Sequence, residues 1–526
     1  MRTTTVIATS LGIRADTAER RRPPHLLVRR LPVSLAPSLV GRLHPANVRR
    51  RAGGAVVTCS VSEEQMVPEP PPPPKGSCYG CGQRLQFQFP DSAGHVLKER
   101  YDLKAKHKQL NLLLCQRCVA LTHGRMVPGV KEWSQNRQSS DEELPKMLLT
   151  PEELREKLKV VRTEPALVVM LVDLLDASGS FLGRVRELIG NNPVMLVGTK
   201  ADLLPKGTEL LDVEEWLLET AAYKRLNVMG VKAISSRTSE GIPQAVSAIR
   251  RERRGRNVYV IGAANVGKSA FVRALLKEMG SMSSMQFDPA AITLAKRSPT
   301  ESPMPGTTLS LIPLSCFATG QFLYDTPGLH LDHRLPHILT PSELKEIHPR
   351  KKLRPYLAPP VEEFSDEEQP GATYLWGGIA RIDVVRAPVG TQLAFYGPAP
   401  LKAFGLQLLG EDDEIDFDDG EEEEKAIEIE SELGEDAEEQ ELYGAESVRQ
   451  RGGLWLSRRA EIKTTGRKEA LVDIAVSGLG GWVSVLGTSR KDMDIELRIY
   501  TPRGVEAFVR PPLPVPDPVQ LQRARQ

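Results

Sequence analysis

The sequence has few cysteines and no long apolar run. Six cysteines in 526 residues are too few for a secreted fold held together by disulfides. The apolar stretch at residues 166–175, ALVVMLVDLL, is interrupted by Asp173, whereas a membrane-spanning helix needs about 20 apolar residues. Apolar residues make up 40% and charged residues 26% of the chain, which excludes a fully disordered or fibrous protein. We therefore expect several globular units and no stable membrane span.

The first 58 residues contain no lysine, and only two acidic residues accompany their eleven arginines. They also lack the compact apolar core of a secretory signal. This composition is typical of an organelle transit peptide, which we predict for residues 1–58, with import into the chloroplast stroma. The mitochondrion is the alternative compartment, and a disordered basic arm that binds nucleic acid is the alternative role. The proline-rich residues 59–75 are a predicted linker.

Residues 411–446 have the opposite character, with twenty acidic residues against the single cation Lys425. Like charges at this density prevent burial of enough apolar surface to fold, so we predict a solvated acidic insertion. The formal net charge of +1 for the whole chain therefore averages unlike parts. Without the transit peptide and the acidic insertion, the remaining chain carries a net charge of +11.

The pattern of the remaining residues predicts two kinds of domain. Between residues 150 and 345, short β-rich apolar runs alternate with amphipathic helical stretches, which predicts an α/β domain with a parallel sheet. Thr150, followed by Glu153, is expected to cap the first helix. Residues 370–526 contain strand-like pieces on either side of the acidic run and are predicted to form a separate β-rich domain.

Four of the cysteines form two pairs at metal-ligand spacing. Cys78 and Cys81 make one C-x-x-C pair, and Cys115 and Cys118 make a second pair after 33 intervening residues. Two such pairs supply the four thiolates of a tetrahedral Zn²⁺ site with no open position, so we predict a structural zinc module at residues 76–130. Paired buried or redox cysteines are the alternative. Cys59 and Cys316 remain outside this scheme.

A phosphate loop is predicted at residues 262–269, GAANVGKS, which fit G-x-x-x-x-G-K-S after the strand-like NVYVIG and before an apolar helix. In this context the loop amides can surround the phosphates of a nucleotide. Lys268 can reach the β- and γ-phosphates, and Ser269 can hold Mg²⁺. The predicted nucleotide ligands here are Gly262, Asn265, Val266, Gly267, Lys268, Ser269 and Ala270.

Two further motifs complete a predicted hydrolytic centre. DTPG at residues 325–328 places Asp325 to hold Mg²⁺ and the amide of Gly328 to sense the γ-phosphate. PGTT at residues 305–308 lies where a mobile switch threonine belongs, with Thr308 preferred over Thr307 as the Mg²⁺ ligand. The predicted Mg²⁺ ligands are Ser269, Thr308 and Asp325, and the predicted catalytic residues are Lys268, Thr308, Asp325, Gly328 and Asn265.

Guanine specificity is predicted from TKAD at residues 199–202. The carboxylate of Asp202 can accept hydrogen bonds from guanine N1–H and N2–H₂, which adenine cannot supply. Lys200 can lie against the base, and Thr199 replaces the commoner asparagine of N-K-x-D. Ser235 and Ser236 are predicted to place a backbone N–H near guanine O6.

The order of these motifs predicts a circularly permuted P-loop GTPase. The base motifs at residues 199–202 and 235–236 precede the phosphate loop at 262–269, whereas ordinary GTPases place them after DxxG. Permutation moves the chain termini without changing the packing of a sheet. The chain therefore continues from DTPG into the C-terminal domain, and we expect the GTP or GDP state to reposition that domain.

Hydrolysis is expected to be slow without assistance. Leu329 follows DTPG, where GTPases such as Ras carry a glutamine that orients the attacking water. Asn265 occupies the position at which K⁺-stimulated GTPases bind potassium, and a cation there would stabilise charge that develops in the transition state. The alternative is that Asn265 only forms hydrogen bonds within its own loop. K⁺ is therefore a possible cofactor besides GTP or GDP, Mg²⁺ and Zn²⁺.

The cysteine module followed by TKxD, GAANVGKS, PGTT and DTPG resembles the YqeH-like circularly permuted GTPases, and in particular their plant organellar nitric-oxide-associated-protein (RIF-type) group. The resemblance covers roughly residues 76–400. It implies a GTPase in assembly of the small ribosomal subunit, in plastids for the plant branch, with rRNA and ribosomal proteins as partners. It also implies RNA contact through the zinc module and the C-terminal domain. The oligomeric state does not follow from the sequence.

The charge of the remaining chain gives RNA binding independent support, because a net charge of +11 suits a phosphate-binding surface. Aromatic residues of the zinc module are either base-stacking partners or its small core, and Trp376 and Tyr396 are expected in a core. Two other functions stay open: a GTP-dependent RNA scaffold with negligible hydrolysis, and a zinc or thiol redox sensor. The aromatic residues of the module are Tyr79, Phe87, Phe89 and Tyr101.

Overall fold

The computed structural model describes residues 75–90, 92–125, 127–130, 150–282, 291, 294, 299–302, 305–361, 372–398, 403–406, 446–491 and 493–523. The predicted transit peptide, the linker up to residue 74 and the acidic run up to residue 445 lie outside these residues. The described residues belong to one compact unit. Within them, no helix is both long enough and apolar enough to cross a bilayer.

The cysteine-bearing region is a small module with two short helices, α1 (Lys98–Lys106) and α2 (Gln116–Thr122), and a 3₁₀ turn at Leu110–Leu112. Its core contains the four paired cysteines together with a few apolar side chains. Phe87 and Tyr101 pack against this core and meet edge to face, with ring centroids 5.2 Å apart. These two half-buried rings therefore pack at the edge of this small core.

A six-stranded mixed sheet forms the centre of the nucleotide-binding region. Its strands are β1 (Ala166–Asp173), β2 (Val194–Thr199), β3 (Gly230–Ala233), β4 (Asn257–Gly262), β5 (Ile312–Leu314) and β6 (Leu323–Asp325). They lie in the order β3-β2-β1-β4-β6-β5, with β5 antiparallel to β6 and all the other neighbours parallel. Every residue of β1 is buried, as expected for a central strand that is covered on both faces.

Helices precede β1 and connect the strands from β1 to β5, as the alternating pattern predicts. They are α3 (Pro151–Lys157), α4 (Val160–Thr163), α5 (Ala177–Ser180), α6 (Val185–Ile189), α7 (Leu210–Tyr223), α8 (Ile242–Arg253) and α9 (Lys268–Ser281). The predicted cap of α3 is confirmed: the Glu153 amide donates to the Thr150 hydroxyl at 3.2 Å, and the Thr150 amide donates to the Glu153 carboxylate at 2.9 Å. Helix α8 buries Ile242, Ala245, Val246 and Ile249, the i, i+3, i+4, i+7 face of an amphipathic helix.

The C-terminal region is β-rich, as predicted, and contains two antiparallel sheets. After α10 (Pro341–Glu346) come β7 (Pro355–Leu357), β8 (Ala372–Trp376), β9 (Ala380–Arg386), β10 (Gln392–Tyr396), β11 (Ala403–Leu406), α11 (Glu446–Arg449), β12 (Leu454–Ile462), β13 (Ala470–Val476), β14 (Trp482–Leu486), β15 (Ile495–Pro502), β16 (Ala507–Arg510) and α12 (Pro518–Arg523). The strand orders are β16-β13-β14-β10-β7 and β11-β8-β9-β15-β12.

The sheet that contains β10 and β14 is covered on both faces. On one face Phe395 meets Trp376 of the other C-terminal sheet, with ring centroids 5.7 Å apart, inside a core that both sheets share. On the opposite face Tyr396 stacks on Trp482 at 4.6 Å, and both join the core of the six-stranded sheet. Trp376 and Tyr396 are 1% and 0% exposed, which confirms that they are core residues.

Candidate nucleotide-binding site

The predicted phosphate loop lies between β4 and α9. Its turn needs two residues in the left-handed region, Asn265 with φ +65° and Gly267 with φ +88°, a conformation that glycine adopts without steric penalty. Gly262 ends β4 so close to β1 that a Cβ would lie 2.8 Å from the Leu171 carbonyl oxygen. The strand and the helix start of α9 at Lys268 therefore hold the loop in a fixed position at the carboxyl edge of the sheet.

Lys268 is buried within the loop that carries it. Its Nζ donates to the carbonyl oxygens of Ala263 at 2.7 Å and Gly262 at 3.3 Å. Burial lowers the pKa of Lys268 to about 8, and the nearby carboxylate of Asp325 opposes this shift. A buried ammonium held by neutral carbonyls is suited to pair with an anion such as a phosphate.

Three side chains predicted as Mg²⁺ ligands meet at one point. The Asp325 Oδ2 accepts hydrogen bonds from Ser269 Oγ at 2.9 Å and from Thr308 Oγ1 at 3.2 Å, and the two hydroxyl oxygens are 3.3 Å apart. The other oxygen, Oδ1, is buried without a hydrogen-bond partner among the described residues. Burial raises the pKa of Asp325 to about 6. Hard oxygen donors with one uncompensated carboxylate oxygen fit a divalent cation such as Mg²⁺.

DTPG comes directly after β6 and faces the phosphate loop. A Cβ at Gly328 would lie 2.9 Å from Ala264 Cα and 3.2 Å from Lys268 Nζ, so a side chain at this position would press on the loop. The next residue, Leu329, exchanges backbone hydrogen bonds with the loop: its amide donates to Gly262 at 3.0 Å, and its carbonyl accepts from Ala264 at 2.9 Å. Its side chain packs against the apolar core, so residue 329 offers no polar group to an attacking water.

The predicted base motif is tied to the phosphate loop by Thr199. Its hydroxyl donates to the carbonyl of Val266 at 2.7 Å and to that of Val172 at 3.1 Å, which joins β2, β1 and the loop. Lys200 follows in the left-handed region with φ +67° and forms an ion pair with Asp173 at the end of β1. The threonine that replaces asparagine therefore supplies a link between the base motif and the phosphate loop.

Asp202 and the predicted serine loop are connected directly. The Ser235 hydroxyl donates to Asp202 Oδ1 at 2.8 Å and accepts from the amides of Arg237 at 3.2 Å and Thr238 at 3.0 Å. The amide of Ser235 donates to the carbonyl of Glu240 at 2.9 Å, and Ser236 is half-buried. Ser235 thus orients the carboxylate of Asp202 through its side chain, a role that the motif alone does not reveal.

These motifs surround a cavity of about 410 Å³, a size suited to a small-molecule ligand. The predicted residues that line it are Lys200, Asn265, Gly267, Lys268, Ser269, Ala270, Thr307, Thr308 and Gly328. Asp325 contacts Ser269 and Thr308 of this lining. The other predicted residues do not line the cavity: Thr199, Asp202, Ser235, Ser236, Gly262 and Val266. Residues that sequence reasoning missed also line the cavity: Leu203, Ala264, Thr300, Glu301, Ser302, Gly306, His348 and Pro349.

His348 comes from the segment after α10, in which the sequence predicts no site residue, and it lines the cavity. Burial lowers the pKa of His348 to about 4, and the positive charge of Lys200 contributes, so the ring is neutral at pH 7. Its Nδ1 is buried without a hydrogen-bond partner among the described residues. The Leu353 amide of the same segment donates to the carbonyl of Leu203, the residue after TKAD, at 2.8 Å. His348 belongs to no local sequence motif, so its place in the cavity could not be predicted from the sequence.

The four paired cysteines converge in the small module. Their sulfur atoms all lie within 4.8 Å of one another, and each residue is 1% exposed or less. All four are free thiols, and the Cys115 amide donates to the Cys78 sulfur at 3.2 Å. Four converging buried thiols fit a tetrahedral Zn²⁺ ion, with Cys78, Cys81, Cys115 and Cys118 as its ligands.

The comparisons with known proteins agree with this geometry. A family model described as "50S ribosome-binding GTPase" matches residues 257–354, which contain the phosphate loop, PGTT and DTPG. The chain is 38% identical over 458 residues to NO-associated protein 1, chloroplastic/mitochondrial, of Arabidopsis thaliana, which covers 83% of this chain and 76% of that protein.

Two further relatives extend the comparison beyond plants. The chain is 29% identical over 435 residues to YqeH of Bacillus subtilis, which covers 82% of this chain and 98% of that protein. It is 29% identical over 273 residues to nitric oxide-associated protein 1 of Homo sapiens, which covers 45% of this chain and 36% of that protein.

Proposed function

Because the chain belongs to the YqeH-like GTPase family, in the branch of the plant NO-associated protein 1, we propose that it binds and hydrolyses GTP and acts in assembly of the small ribosomal subunit in the chloroplast. The observation that carries the nucleotide part is the meeting of Ser269, Thr308 and Asp325 beside Lys268 at one cavity. Lys268 holds the phosphates, and Asp202 reads guanine.

The metal chemistry follows from the same residues. Ser269, Thr308 and Asp325 would hold Mg²⁺, which neutralises charge on the β- and γ-phosphates when it is bound. The amide of Gly328 then contacts the γ-phosphate. Asn265 lines the cavity and is the residue we assign to K⁺. Because the apolar side chain of Leu329 packs against the core and offers no polar group to water, hydrolysis without K⁺ or a ribosomal partner is slow.

GTP binding and turnover by the full chain test this proposal. Lys268→Ala removes the ammonium and should abolish detectable GTP binding, whereas Lys277→Ala, an exposed lysine on the same helix α9, should bind as the wild type does. Turnover should be faster in KCl than in NaCl at equal ionic strength. Equal rates in the two salts would remove the potassium role and leave the GTPase proposal standing.

Circular permutation is supported by where the motifs lie in the sheet. The strands before the base motifs, β2 and β3, lie on one side of β1, and β4 with its phosphate loop lies on the other. One parallel arrangement thus joins a base motif that comes early in the chain to a phosphate loop that comes late. We assign residues 150–345 to this permuted domain, residues 76–130 to the zinc module and residues 370–526 to an RNA-binding domain.

The ribosomal part of the proposal rests on the family and on charge. The chain without its acidic run and transit segment carries +11, which favours contact with rRNA phosphates. The matching family description names the 50S subunit, whereas the resemblance to YqeH-like proteins implies the small subunit. Sedimentation of the full chain with purified subunits in the presence of a GTP analogue decides between them. Binding only to the large subunit would overturn this part.

The chloroplast part rests on residues 1–58, which contain eleven arginines and no lysine, and on the relative from Arabidopsis thaliana, whose name includes both chloroplastic and mitochondrial. A fluorescent protein fused after residue 75 should accumulate in the stroma. Accumulation in mitochondria instead would establish the alternative compartment.

A GTP-dependent RNA scaffold with negligible hydrolysis is the second candidate, and Leu329 is the observation that favours it. Wild-type protein that binds GTP but shows no turnover with K⁺ and ribosomal subunits would establish the scaffold. A thiol redox sensor is the third candidate. One Zn²⁺ per chain that survives mild oxidant without disulfide formation would eliminate it.

A further inference from the structure

The cysteine module contacts the predicted switch segment, residues 305–310, and also Thr300 before it. The two C-x-x-C pairs of the module, residues 78–81 and 115–118, are called its first and second knuckles. The carbonyl of Gly80, in the first C-x-x-C pair, accepts from the Thr300 amide at 3.0 Å. The carbonyl of Cys81 accepts from the amides of Leu309 at 2.9 Å and Ser310 at 3.1 Å. These bonds lie on both sides of PGTT, so the backbone of the first knuckle holds the chain before and after Thr308.

The first knuckle approaches this segment too closely for side chains. A Cβ at Gly80 would lie 2.3 Å from Thr300 Oγ1 and 3.1 Å from the Cys118 sulfur. Gly82 has φ +77°, and a Cβ there would lie 3.0 Å from the Ser310 carbonyl oxygen. The two glycines of CYGCG therefore serve the contact with the switch segment as well as the turn itself.

Arg117, in the second knuckle, reaches the middle of the same segment. Its guanidinium is buried, with the residue 4% exposed. One nitrogen, Nη2, donates to Gly306 O at 2.8 Å, and Nη1 donates to Thr307 O at 3.3 Å. From its other side, Nε donates to Val127 O at 3.2 Å and Pro128 O at 3.3 Å. A planar, permanently charged fork thus joins two backbone segments through carbonyl oxygens.

The opposite side of the segment faces the metal ligands. Thr307, whose carbonyl accepts from Arg117, lines the cavity. The next residue, Thr308, places its hydroxyl 3.2 Å from Asp325 Oδ2 and 3.3 Å from Ser269 Oγ. Leu309, which follows Thr308, and Ala264, which belongs to the phosphate loop, are both part of the apolar core of the cysteine module. The arginine therefore holds the peptide that presents Thr308.

We propose that Arg117 is a positioning residue for the switch segment and that the cysteine module is an internal clamp on it. In GTPases generally, the γ-phosphate and Mg²⁺ order such a segment. Here Arg117 holds the segment in the metal-binding arrangement beforehand, so less ordering remains to be done when GTP binds. The clamp strengthens binding of GTP more than that of GDP. The γ-phosphate and Mg²⁺ together order the segment that presents Thr308, and GDP lacks this phosphate. This inference rests on the proposed function as a GTPase.

The experiment compares full-length variants by three measurements. These are Zn²⁺ per chain, the affinities for a non-hydrolysable GTP analogue and for GDP, and hydrogen exchange of residues 305–310. Arg117→Ala should weaken binding of the GTP analogue about 10-fold through loss of charged hydrogen bonds, with GDP affinity changed less than about two-fold and exchange at 305–310 faster. Arg117→Lys should lose less affinity than Arg117→Ala, because lysine keeps the positive charge. It should not reach wild-type affinity, because an ammonium cannot donate to both carbonyls in the geometry of a guanidinium.

Two further variants separate the clamp from simple support of the module. Arg125→Ala removes an exposed arginine of the same module and should leave all three measurements unchanged. Gly129→Ala retains Arg117 but places a Cβ 2.7 Å from its Cζ and Nη2, which displaces the guanidinium. It should lower the ratio of GTP-analogue to GDP affinity while Zn²⁺ stays bound. If Arg117→Ala loses Zn²⁺, Gly129→Ala and Arg117→Lys decide.

Variants at 117 and 129 that keep Zn²⁺, exchange at 305–310 as the wild type does and retain its ratio of affinities would overturn the clamp. A wild-type chain that binds no GTP would overturn the proposed function instead. Even then, hydrogen exchange at 305–310 in the nucleotide-free chain still tests whether Arg117 holds the segment.

Discussion

Thr199 occupies the position that is commonly asparagine in the base motif, and its hydroxyl bridges β1 and the phosphate loop through two carbonyls. A methyl group of similar size cannot donate either bond. The single hydroxyl proton is shared between these two carbonyls, so its loss costs on the order of 1 kcal/mol. The position thus couples the base motif to the phosphate loop through a single oxygen atom.

Thr199→Val should weaken the binding of both GTP and GDP by about five-fold, because the phosphate loop loses its tie to β2. Fluorescent-nucleotide titration measures the two dissociation constants. Thr163→Val removes an exposed hydroxyl that, within the part of the chain that the structure describes, donates to the Val160 carbonyl of its own helix. It should leave both dissociation constants unchanged. Equal affinities for wild type and Thr199→Val would show that the loop keeps its position without this bond.

Asp473, on β13, is a buried carboxylate whose titration should affect stability. Its oxygens accept from Ser484 Oγ at 2.6 Å and from the Leu513 amide at 2.8 Å, and Arg510 lies at 3.8 Å. Burial nevertheless raises the pKa of Asp473 from 3.8 to about 6. A raised pKa in the folded state means that the protonated form is favoured there, so this residue contributes stability that is present below pH 4 and lost as pH rises through about 6.

Asp473→Asn should therefore remove a pH-dependent part of the free energy of unfolding. Between pH 7 and pH 4 the wild type should gain on the order of 3 kcal/mol relative to the variant, from about two pKa units at 1.4 kcal/mol each. Urea unfolding of both proteins at several pH values measures this difference. A difference that stays constant across that range would contradict the raised pKa.

At the scale of the element, β12 is the strand to which we assign the RNA contact of the proposed function. It lies at the end of its sheet in the strand order, and Trp455 is 51% exposed. The guanidinium of Arg503 lies over the Trp455 ring, 5.3 Å from its centroid. An exposed ring beside an arginine suits a stacked base with a neighbouring phosphate.

Trp455→Ala should lower the affinity for small-subunit rRNA about 10-fold, in line with the loss of one stacked base. Arg503→Ala should reduce the salt dependence of log affinity by about one unit of slope. Filter binding at several salt concentrations measures both quantities. Arg250→Ala, an exposed arginine on α8, is the control. Affinities and slopes equal to those of the wild type would place the RNA surface elsewhere.

At the scale of the whole molecule, one buried arginine joins the nucleotide site to the C-terminal sheets. Arg334, six residues after DTPG, donates to the phosphate-loop carbonyl of Ala264 at 2.7 Å and to Asp176 at 3.1 Å. The same carboxylate oxygen of Asp176 accepts from the Gly478 amide at 2.7 Å. A change at DTPG can thus reach Gly478 through two polar contacts.

We expect the nucleotide state to change hydrogen exchange around residues 475–482, with GTP analogue and GDP giving different rates. Arg334→Lys should shrink this difference, because an ammonium cannot hold Ala264 and Asp176 in the same geometry. Arg350→Lys, an exposed position on the following segment, should not. Identical exchange across residues 370–526 in both nucleotide states would exclude coupling to the C-terminal region.

The net charge of the whole chain is informative only when it is calculated separately for the transit segment, the acidic run and the remaining residues. A total of +1 suggests no preference for nucleic acid, yet the acidic run carries −19 and the chain without that run and the transit segment carries +11. Whether the run shields a basic surface is testable by deletion of residues 411–446. Unchanged rRNA affinity and salt slope would leave it with a role in solubility.

Sequence was sufficient where the chemistry is local. The strand, turn and helix around the phosphate loop, the capping box at Thr150 and the two cysteine pairs all follow from neighbouring residues, because backbone conformation and ligand spacing are set within a few positions. The family follows from the same motifs, and the relatives confirm it. The β-rich character of the C-terminal region follows from alternating and apolar runs.

Only the tertiary structure decided which distant groups meet. Arg117 contacts Gly306 across 189 positions of sequence, His348 enters the cavity from a connecting segment, and Arg334 joins Ala264 to Asp176. Arg117 and Arg334 donate to the backbone carbonyls of Gly306 and Ala264. Every residue possesses such a carbonyl, so these partners cannot be recognised from the sequence. Local motifs thus determined which groups could bind a nucleotide and a metal, and packing decided which other side chains hold them in place.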